Sequence, residues 1–404
     1  AEKEAEERIQ RLEAIAQHEE FIRKYPDSHY TAHRIFRLAN LYLDETEYAF
    51  AEANAAYRDL EEEFDRKLDA GEPVDALPEP PGRDYSRAIA LMQDLIERFP
   101  DYHHLGATYY LLGYCYWDEL SAQQDDGLAM GTYQELVRRL PDSEYAVNGH
   151  FALGEIYFNE LEFEMAIHHY SKVLEFGQTS HFDRALYKLA WAFYRGDDLG
   201  NAIPRFVELI DYSDQMLTEG GKESDMRPEA VRYLAISLVD QADDAERPPI
   251  QRVEEYFANV GDKPYQYDVM VQVDDVLSQQ ARYDEELATL IRIQELYPNS
   301  PDNPEFQRRI MALHVSKDNP DVDASVAARI ELVERFKEGT PWWEANKNNP
   351  DALRLASQYI EESLGDVAKV YHANAQAMFS AAGEVRGAEP ARSEYIRAAE
   401  AYQD

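Results

Sequence analysis

Sulfur chemistry is almost absent from this chain. Of 404 residues one is cysteine, so no internal disulfide can form. Cys115 lies inside the apolar run Tyr109-Tyr110-Leu111-Leu112-Gly113-Tyr114-Cys115-Tyr116-Trp117, where a buried thiol is expected rather than a nucleophile. So little cysteine fits a cytoplasm and a bacterial periplasm equally. No run of 18 apolar residues occurs, so nothing reaches the length of a membrane-spanning helix. Positive charge is also short: 40 Lys and Arg stand against 79 Asp and Glu, a net charge of -39. Such a field repels phosphate and argues against nucleic acid or anionic membrane as a direct partner. It admits a basic protein partner, or else an acidic surface kept soluble in a salty habitat. The chain opens at Ala1 without methionine or a signal-like segment, which suggests a processed or trimmed start and leaves the compartment open.

The chemistry of catalysis is missing as well. No Gly-rich phosphate loop follows a strand, and no strands are evident. His103-His104 and His168-His169 are adjacent pairs, and neighbours on a helix do not face one another, so neither pair makes a two-ligand site by itself. Acidic runs such as Leu60-Glu61-Glu62-Glu63 read as solvated helix faces. No catalytic residue, metal or cofactor is expected, and the protein reads as non-enzymatic.

What the chain does have is helical periodicity, 45% hydrophobic residues and 28 tyrosines against 18 glycines. The clearest stretch is Asn148-Gly149-His150-Phe151-Ala152-Leu153-Gly154-Glu155-Ile156-Tyr157, followed by Phe163-Glu164-Met165-Ala166-Ile167-His168-His169-Tyr170. Glycine inside a helix costs about 1 kcal/mol against alanine. A steric reason offsets that cost: Gly154 and Ala166 are small where two antiparallel helices come closest, and Tyr157 and Tyr170 fill the flanks. The pattern resembles a tetratricopeptide repeat (TPR), a helix-turn-helix unit of about 34 residues.

The pattern recurs. Leu38-Ala39-x-x-Tyr42 precedes Ala51 by the same step that separates Gly154 from Ala166, and a partner helix is expected over about 47–66. Leu112-Gly113-x-x-Tyr116 leads to Ala129 and Tyr133 through a turn lengthened at Gln123–Gly127. Leu189-Ala190-x-x-Phe193 leads to Ala202 and Phe206. Residues 2–25 carry Ala14, His18 and Phe21 at second-helix spacing, and Ala88, Met92 and Leu95 do the same. Between them Gly71, Pro73, Pro78, Pro80, Pro81 and Gly82 break the period at 67–82. That inserted loop or strap is expected to have replaced or displaced a first-type helix. Prolines in Tyr25-Pro26-Asp27-Ser28 and Leu140-Pro141-Asp142-Ser143 stop one helix, and Asp27 or Ser28 can cap the next.

The fold class is therefore all-α: a TPR-like helix-turn-helix solenoid over 1–215, for which the resemblance implies a right-handed superhelix. A region of degenerate helical repeats is expected over 222–404. Thr218-Glu219-Gly220-Gly221-Lys222-Glu223 reads as a hinge between them. In the second region, Val269–Leu277 with Tyr283–Tyr297 looks like a degenerate repeat closed by Tyr297-Pro298-Asn299-Ser300. Trp342-Trp343 reads as a plug or a partner anchor, with the plug favoured, and long helices follow over Asp351–Ala382. Pro390–Tyr402 resembles another repeat opening, which implies a chain that continues beyond Asp404.

In TPR proteins the first helices line a concave groove that holds a partner. Carried onto this chain, the resemblance implies groove positions at Tyr110, Tyr114, Trp117 and Asp118, then Phe151, Glu155, Phe158 and Asn159, then Arg184, Tyr187, Trp191, Tyr194 and Arg195. Eight of these thirteen are aromatic, as a protein-binding groove needs, because aromatics bury area with little rotamer loss. The competing reading packs them on one another or on the 67–82 strap. The basic carboxylate clamp of chaperone-binding TPRs is missing. The inter-repeat phrases, together with Phe336–Trp343 and Val370–Gln376, resemble cell-envelope TPR proteins such as the BamD lipoprotein, the Tol-Pal coordinator and gliding-motility components. That resemblance implies a periplasmic or envelope location and envelope protein partners. A non-enzymatic interaction scaffold is thus expected; an accessory domain of a larger enzyme and a permanent structural subunit are the alternatives.

Overall fold

The structure is a computed structural model that describes residues 2–74, 76–240, 247–316 and 321–386, with 392, 393 and 396. Among these residues every extended element is a helix, and the chain divides into two compact units, Ala1–Met216 and Leu217–Asp404. The first holds α1 (Glu2–Lys24), α2 (Thr31–Asp69), α3 (Ser86–Arg98), α4 (Leu105–Trp117), α5 (Asp126–Arg139), α6 (Ala146–Asn159), α7 (Phe163–Glu175), α8 (Phe182–Arg195) and α9 (Leu199–Thr218). From α1 to α8 each helix packs on the next in chain order, as expected for helix pairs joined by short turns.

Two kinds of turn generate the array. Between repeats, the Pro-Asp-Ser phrases end in a serine whose Oγ accepts the backbone N–H two residues on: Ser28 from Tyr30 at 3.3 Å and Ser143 from Tyr145 at 3.2 Å. Within repeats, a single residue swings into the left-handed region, at Leu161 (φ 63°) and Asp197 (φ 60°). Each stands seven residues after the small residue of its first helix, Gly154 or Ala190. The small residues are required sterically. A Cβ on Gly154 would lie 2.5 Å from the Tyr170 ring, and one on Gly113 would lie 2.6 Å from the Tyr133 ring. Ala166 and Tyr170 are fully buried, as are Ala129 and Tyr133 to within 1%.

Two expectations for the N-terminal third are corrected. Ala39 and Ala51 do not lie on two helices, because α2 runs unbroken from Thr31 to Asp69. The residue seven after Ala39 is Thr46, whose β-branched side chain resists the left-handed conformation, and no glycine or proline interrupts residues 43–50. No first-type helix is missing either. α2 packs directly on α3, so Ala39 and Ala88 belong to the two helices of one repeat, and both are 1% exposed. The insertion therefore lies inside a repeat: the second half of α2 and a strap, 70–74 and 76–85, that returns along it.

The second unit holds α10 (Arg227–Asp240), α11 (Pro249–Val260), α12 (Gln266–Gln279), α13 (Tyr283–Leu296), α14 (Asn303–Ser316), α15 (Val322–Phe336), α16 (Pro341–Asn346) and α17 (Pro350–Arg386). The same grammar returns here. Ser300 Oγ accepts from Asp302 N at 3.3 Å, and Ala281 (φ 54°) makes the left-handed turn between α12 and α13. Counting back seven residues from Ala281, however, gives Asp274, and twelve on from Asp274 stands Glu286. Where the first unit has Gly154 and Ala166, this repeat has two acids, and they are 0% and 3% exposed. Arg309 of α14 reaches in and ion-pairs with Asp274, and with Glu286 at 2.7 Å. Trp342 is a plug: 3% exposed, it packs 5.1 Å from Phe336 and donates Nε1–H to the Ser300 carbonyl at 2.7 Å. The stretch 390–402 lies almost wholly outside the described residues.

Candidate functional site

Twelve of the thirteen expected groove positions lie on the first helices α4, α6 and α8, with Asp118 at the C-cap of α4, and α4 and α6 touch one another directly. Their side chains split into two groups. One group is spent between repeats. Phe151 is buried at 6% exposure, stacked on His181 at 4.9 Å, with the Arg184 guanidinium 4.8 Å from its ring centroid. Glu155 accepts the Tyr170 hydroxyl proton and pairs with Lys188 at 2.9 Å. Lys188 also lies 5.4 Å from the Phe158 ring, and Arg195 lies 5.7 Å from Phe163. Three cations of α8 thus sit over three rings of the preceding repeat, a cation–π zipper that adds about 0.5–1 kcal/mol per exposed contact. Phe151, Glu155, Phe158, Arg184 and Arg195 hold α8 against α6 and α7 instead of facing a groove freely.

Tyr110 and Trp117 also lean inward. Their rings lie 6.2 and 6.5 Å from buried Tyr133, and both pack on the α1–α6 core. The strap claims Asp118. The single Tyr85 hydroxyl proton is shared between Glu47 Oε1 at 2.9 Å and Asp118 Oδ2 at 3.0 Å, while Arg83 pairs with Glu47 at 2.8 Å and Asp118 at 3.3 Å. Arg83 N–H donates to the Leu120 carbonyl at 2.6 Å and Ala122 N–H donates to the Arg83 carbonyl at 2.8 Å, an isolated bridge that pins the strap. Burial among these carboxylates raises the Tyr85 hydroxyl pKa far above its ordinary value. The second group remains toward solvent: Tyr114 (39% exposed), exposed Asn159, and half-buried Tyr187, Trp191 and Tyr194. The last three form a run along α8, with ring centroids 6.2 and 5.8 Å apart.

Sequence spacing missed one polar pair. His150 of α6 and His169 of α7 meet Nδ1 to Nδ1 at 2.9 Å, and Tyr157 stacks on His169 at 5.5 Å. Burial lowers both imidazoles to about 4, so they are neutral near pH 7, one donating and the other accepting. The signal lies in their positions relative to the small residues: His150 stands one turn before Gly154 and His169 nearly one turn after Ala166, which puts both rings beside the same helix contact. Among the described residues no group of three or more His, Cys, Asp or Glu could hold a metal. Burial raises the Cys115 thiol to about 12, far from a nucleophile's range. No helix among the described residues is long and apolar enough to cross a membrane.

A tetratricopeptide-repeat family model matches residues 184–213, which span most of α8 and much of α9. No curated protein matches the chain. Among solved structures, a tetratricopeptide repeat protein from Parabacteroides merdae is 12% identical, with 75% of this chain and 99% of that one covered and a TM-score of 0.33. The apo form of RapI is 13% identical over 74% of this chain and 98% of that one, with a TM-score of 0.31. A Rap protein complexed with Competence and Sporulation Factor is 14% identical over 78% and 92%, with a TM-score of 0.29. The helix pairs and their turn chemistry identify the architecture as a TPR-like, all-α helical repeat.

Proposed function

We propose that this TPR-like repeat protein is a non-enzymatic scaffold that holds another protein on the first-helix face of its N-terminal unit. The observation that supports this is the division of that face. Charged and aromatic positions at its base are consumed by the inter-repeat zipper, while Tyr114, Asn159, Tyr187, Trp191 and Tyr194 stay at or near the surface. Rigid aromatics with polar tips are efficient protein-binding groups, because they bury area with few rotatable bonds to fix. The acidic field around them favours a basic partner. The Pro-Asp-Ser and Pro-Asn-Ser turns support an envelope assembly as the setting. Fractionation of native cells, with the protein recovered in the periplasm or cell envelope, checks that part separately.

Affinity capture from native extract, followed by mass spectrometry, identifies the partner. A Tyr114→Ser, Trp191→Ser, Tyr194→Ser triple variant is then expected to lose it while keeping its circular dichroism melt. Capture of the same partner by the folded variant sinks the reading.

A further inference from the structure

The second half of α2 has no counterpart in the other described repeats. Its last buried residue is Tyr42, and between Leu43 and Asp69 no residue is buried. A helix so poorly covered is marginal in water on its own. Its cover is the N-terminal part of α1, paired through Arg8 to Glu45 and Glu52, and the proline strap. Phe50, Tyr57 and Phe64 recur every seven residues and are half-buried. The strap does not close over this stripe. A cleft of about 370 Å³ lies between Ala49, Phe50 and Ala53 and the strap's Gly82. A second, of about 190 Å³, lies between Leu60 and Phe64 and the strap's Leu77 and Pro78. Leu60 and Leu68 are 47% and 56% exposed. Around them stand Asp59, Glu61, Glu62, Glu63, Asp65 and Asp69, against Arg58, Arg66 and a Lys67 already paired to Glu63 at 2.7 Å.

We propose that this arm, residues 47–69 with its strap, is a docking site for a basic amphipathic helix of another protein. Apolar clefts set along a helix accept apolar side chains at one-turn spacing, the way a helix lies in a groove. The acidic rim selects lysine and arginine on that helix's flanks. A second copy of this chain does not fit, because two arms laid together would oppose acid to acid. The arm's clefts lie on α2 and the strap, apart from Tyr187, Trp191 and Tyr194 on α8, so one chain can hold two partners at once.

The test uses the whole chain and two synthetic peptides sharing a leucine stripe at i, i+3, i+4 and i+7. One is flanked by lysine and the other by glutamate, and fluorescence anisotropy follows binding. The lysine peptide is expected to bind and the glutamate peptide to fail. Leu60→Gln with Leu68→Gln, both exposed positions, should weaken the lysine peptide roughly tenfold or more with the melting curve unchanged. Trp191→Ser should leave that affinity alone, which separates the arm from the α8 aromatics. Equal binding of both peptides overturns the proposal, as does an affinity unmoved by the leucine variant. Self-association in sedimentation velocity that the leucine variant abolishes would overturn it too, by assigning the arm to a second copy.

Discussion

The repeat of α6 and α7 and the repeat of α12 and α13 share a backbone and differ where their helices touch. Both turn through a left-handed residue, Leu161 or Ala281, and both bring the same two helix positions together. In the first repeat the contact is Gly154 and Ala166 under the Tyr170 ring. In the second it is Asp274 and Glu286, with Arg309 from the following repeat inserted between their charges. The turn and the helix spacing thus define the repeat, and the contact can be steric or ionic. The ionic version places a neighbour's side chain inside the helix contact itself, whereas the steric contact needs none and α8 braces α6 and α7 from outside it. The ionic contact thus gives the coupling of α12 and α13 to α14 a dependence on charge that the steric contact lacks.

Removing Arg309 should break this comparison most sharply. Arg309→Met leaves two buried carboxylates uncompensated and is expected to cost about 3–5 kcal/mol. Hydrogen exchange by mass spectrometry should show α12–α14 deprotected and α6–α7 untouched; equal loss in both units would refute the neighbour dependence. Gly154→Ala should come next. It gains about 1 kcal/mol of helix propensity, yet its Cβ meets the Tyr170 ring at 2.5 Å, so a net loss of about 1–3 kcal/mol is expected by calorimetry. A variant as stable as wild type would show that the ring can move aside.

Acid should then pull the two repeats apart. Burial, aided by Glu286 and Asp275 and opposed by Arg309, raises Asp274 to about 7 from an ordinary 3.8. The folded form therefore holds a proton that the unfolded form releases between those values. Stability at α12–α14 should fall as pH rises from about 4 to about 7, by at most about 1.4 kcal/mol per pH unit. His150 and His169 have the opposite sign. Their folded values lie near 4 against 6.5 unfolded, so stability at α6–α7 should fall as pH drops from 6.5 toward 4. Hydrogen exchange corrected for intrinsic rates at pH 7 and pH 5 should show α6–α7 loosening and α12–α14 tightening. Asp274→Asn should cancel the Asp274 part of that tightening, and a shift of the same sign in both repeats would contradict the assignment. The smallest effect concerns the backbone they share. Leu161→Gly and Ala281→Gly both relieve a left-handed side chain, at about 1–2 kcal/mol, and both loosen the unfolded chain by a little less. Each should stabilise by a few tenths of a kcal/mol and by similar amounts; a large difference in melting temperature would mean that the turns are not equivalent.

The comparison also shows what can be read from residues alone. Gly154, Ala166 and Tyr170 are legible because small-residue packing leaves a spacing that repeats. The helix pairs and the Trp342 plug follow from similar local logic, and so does the lengthened turn before α5, although it runs over 118–125 and Asp126 and Gly127 already belong to the helix. The spacing of Ala39 and Ala51 points to a break in α2 that does not exist; the match is a coincidence, and the missing turn chemistry at Thr46 is the stronger signal. The first-helix face is legible as positions and not as exposure. Whether Phe151 faces solvent depends on Arg184, which belongs to the next repeat, and whether Asp118 is open depends on a strap whose course no periodicity encodes. Asp274 and Glu286 look like ordinary acids on a helix, since their neutralising partner Arg309 stands in another element.

The insertion within the α2–α3 repeat bears on the order in which the protein assembles. Gly154 and Ala166 are joined by a short turn, whereas the whole arm and strap separate Ala39 from Ala88. Closing a loop roughly four times as long costs about 1.2 kcal/mol more chain entropy. That comes before any search through a strap stiffened by Pro73, Pro78, Pro80 and Pro81. The C-terminal repeats of the first unit can therefore form as local hairpins and present a finished edge. The N-terminal repeat is expected to close after them, which would make the long arm of α2 one of the last parts of the unit to become ordered.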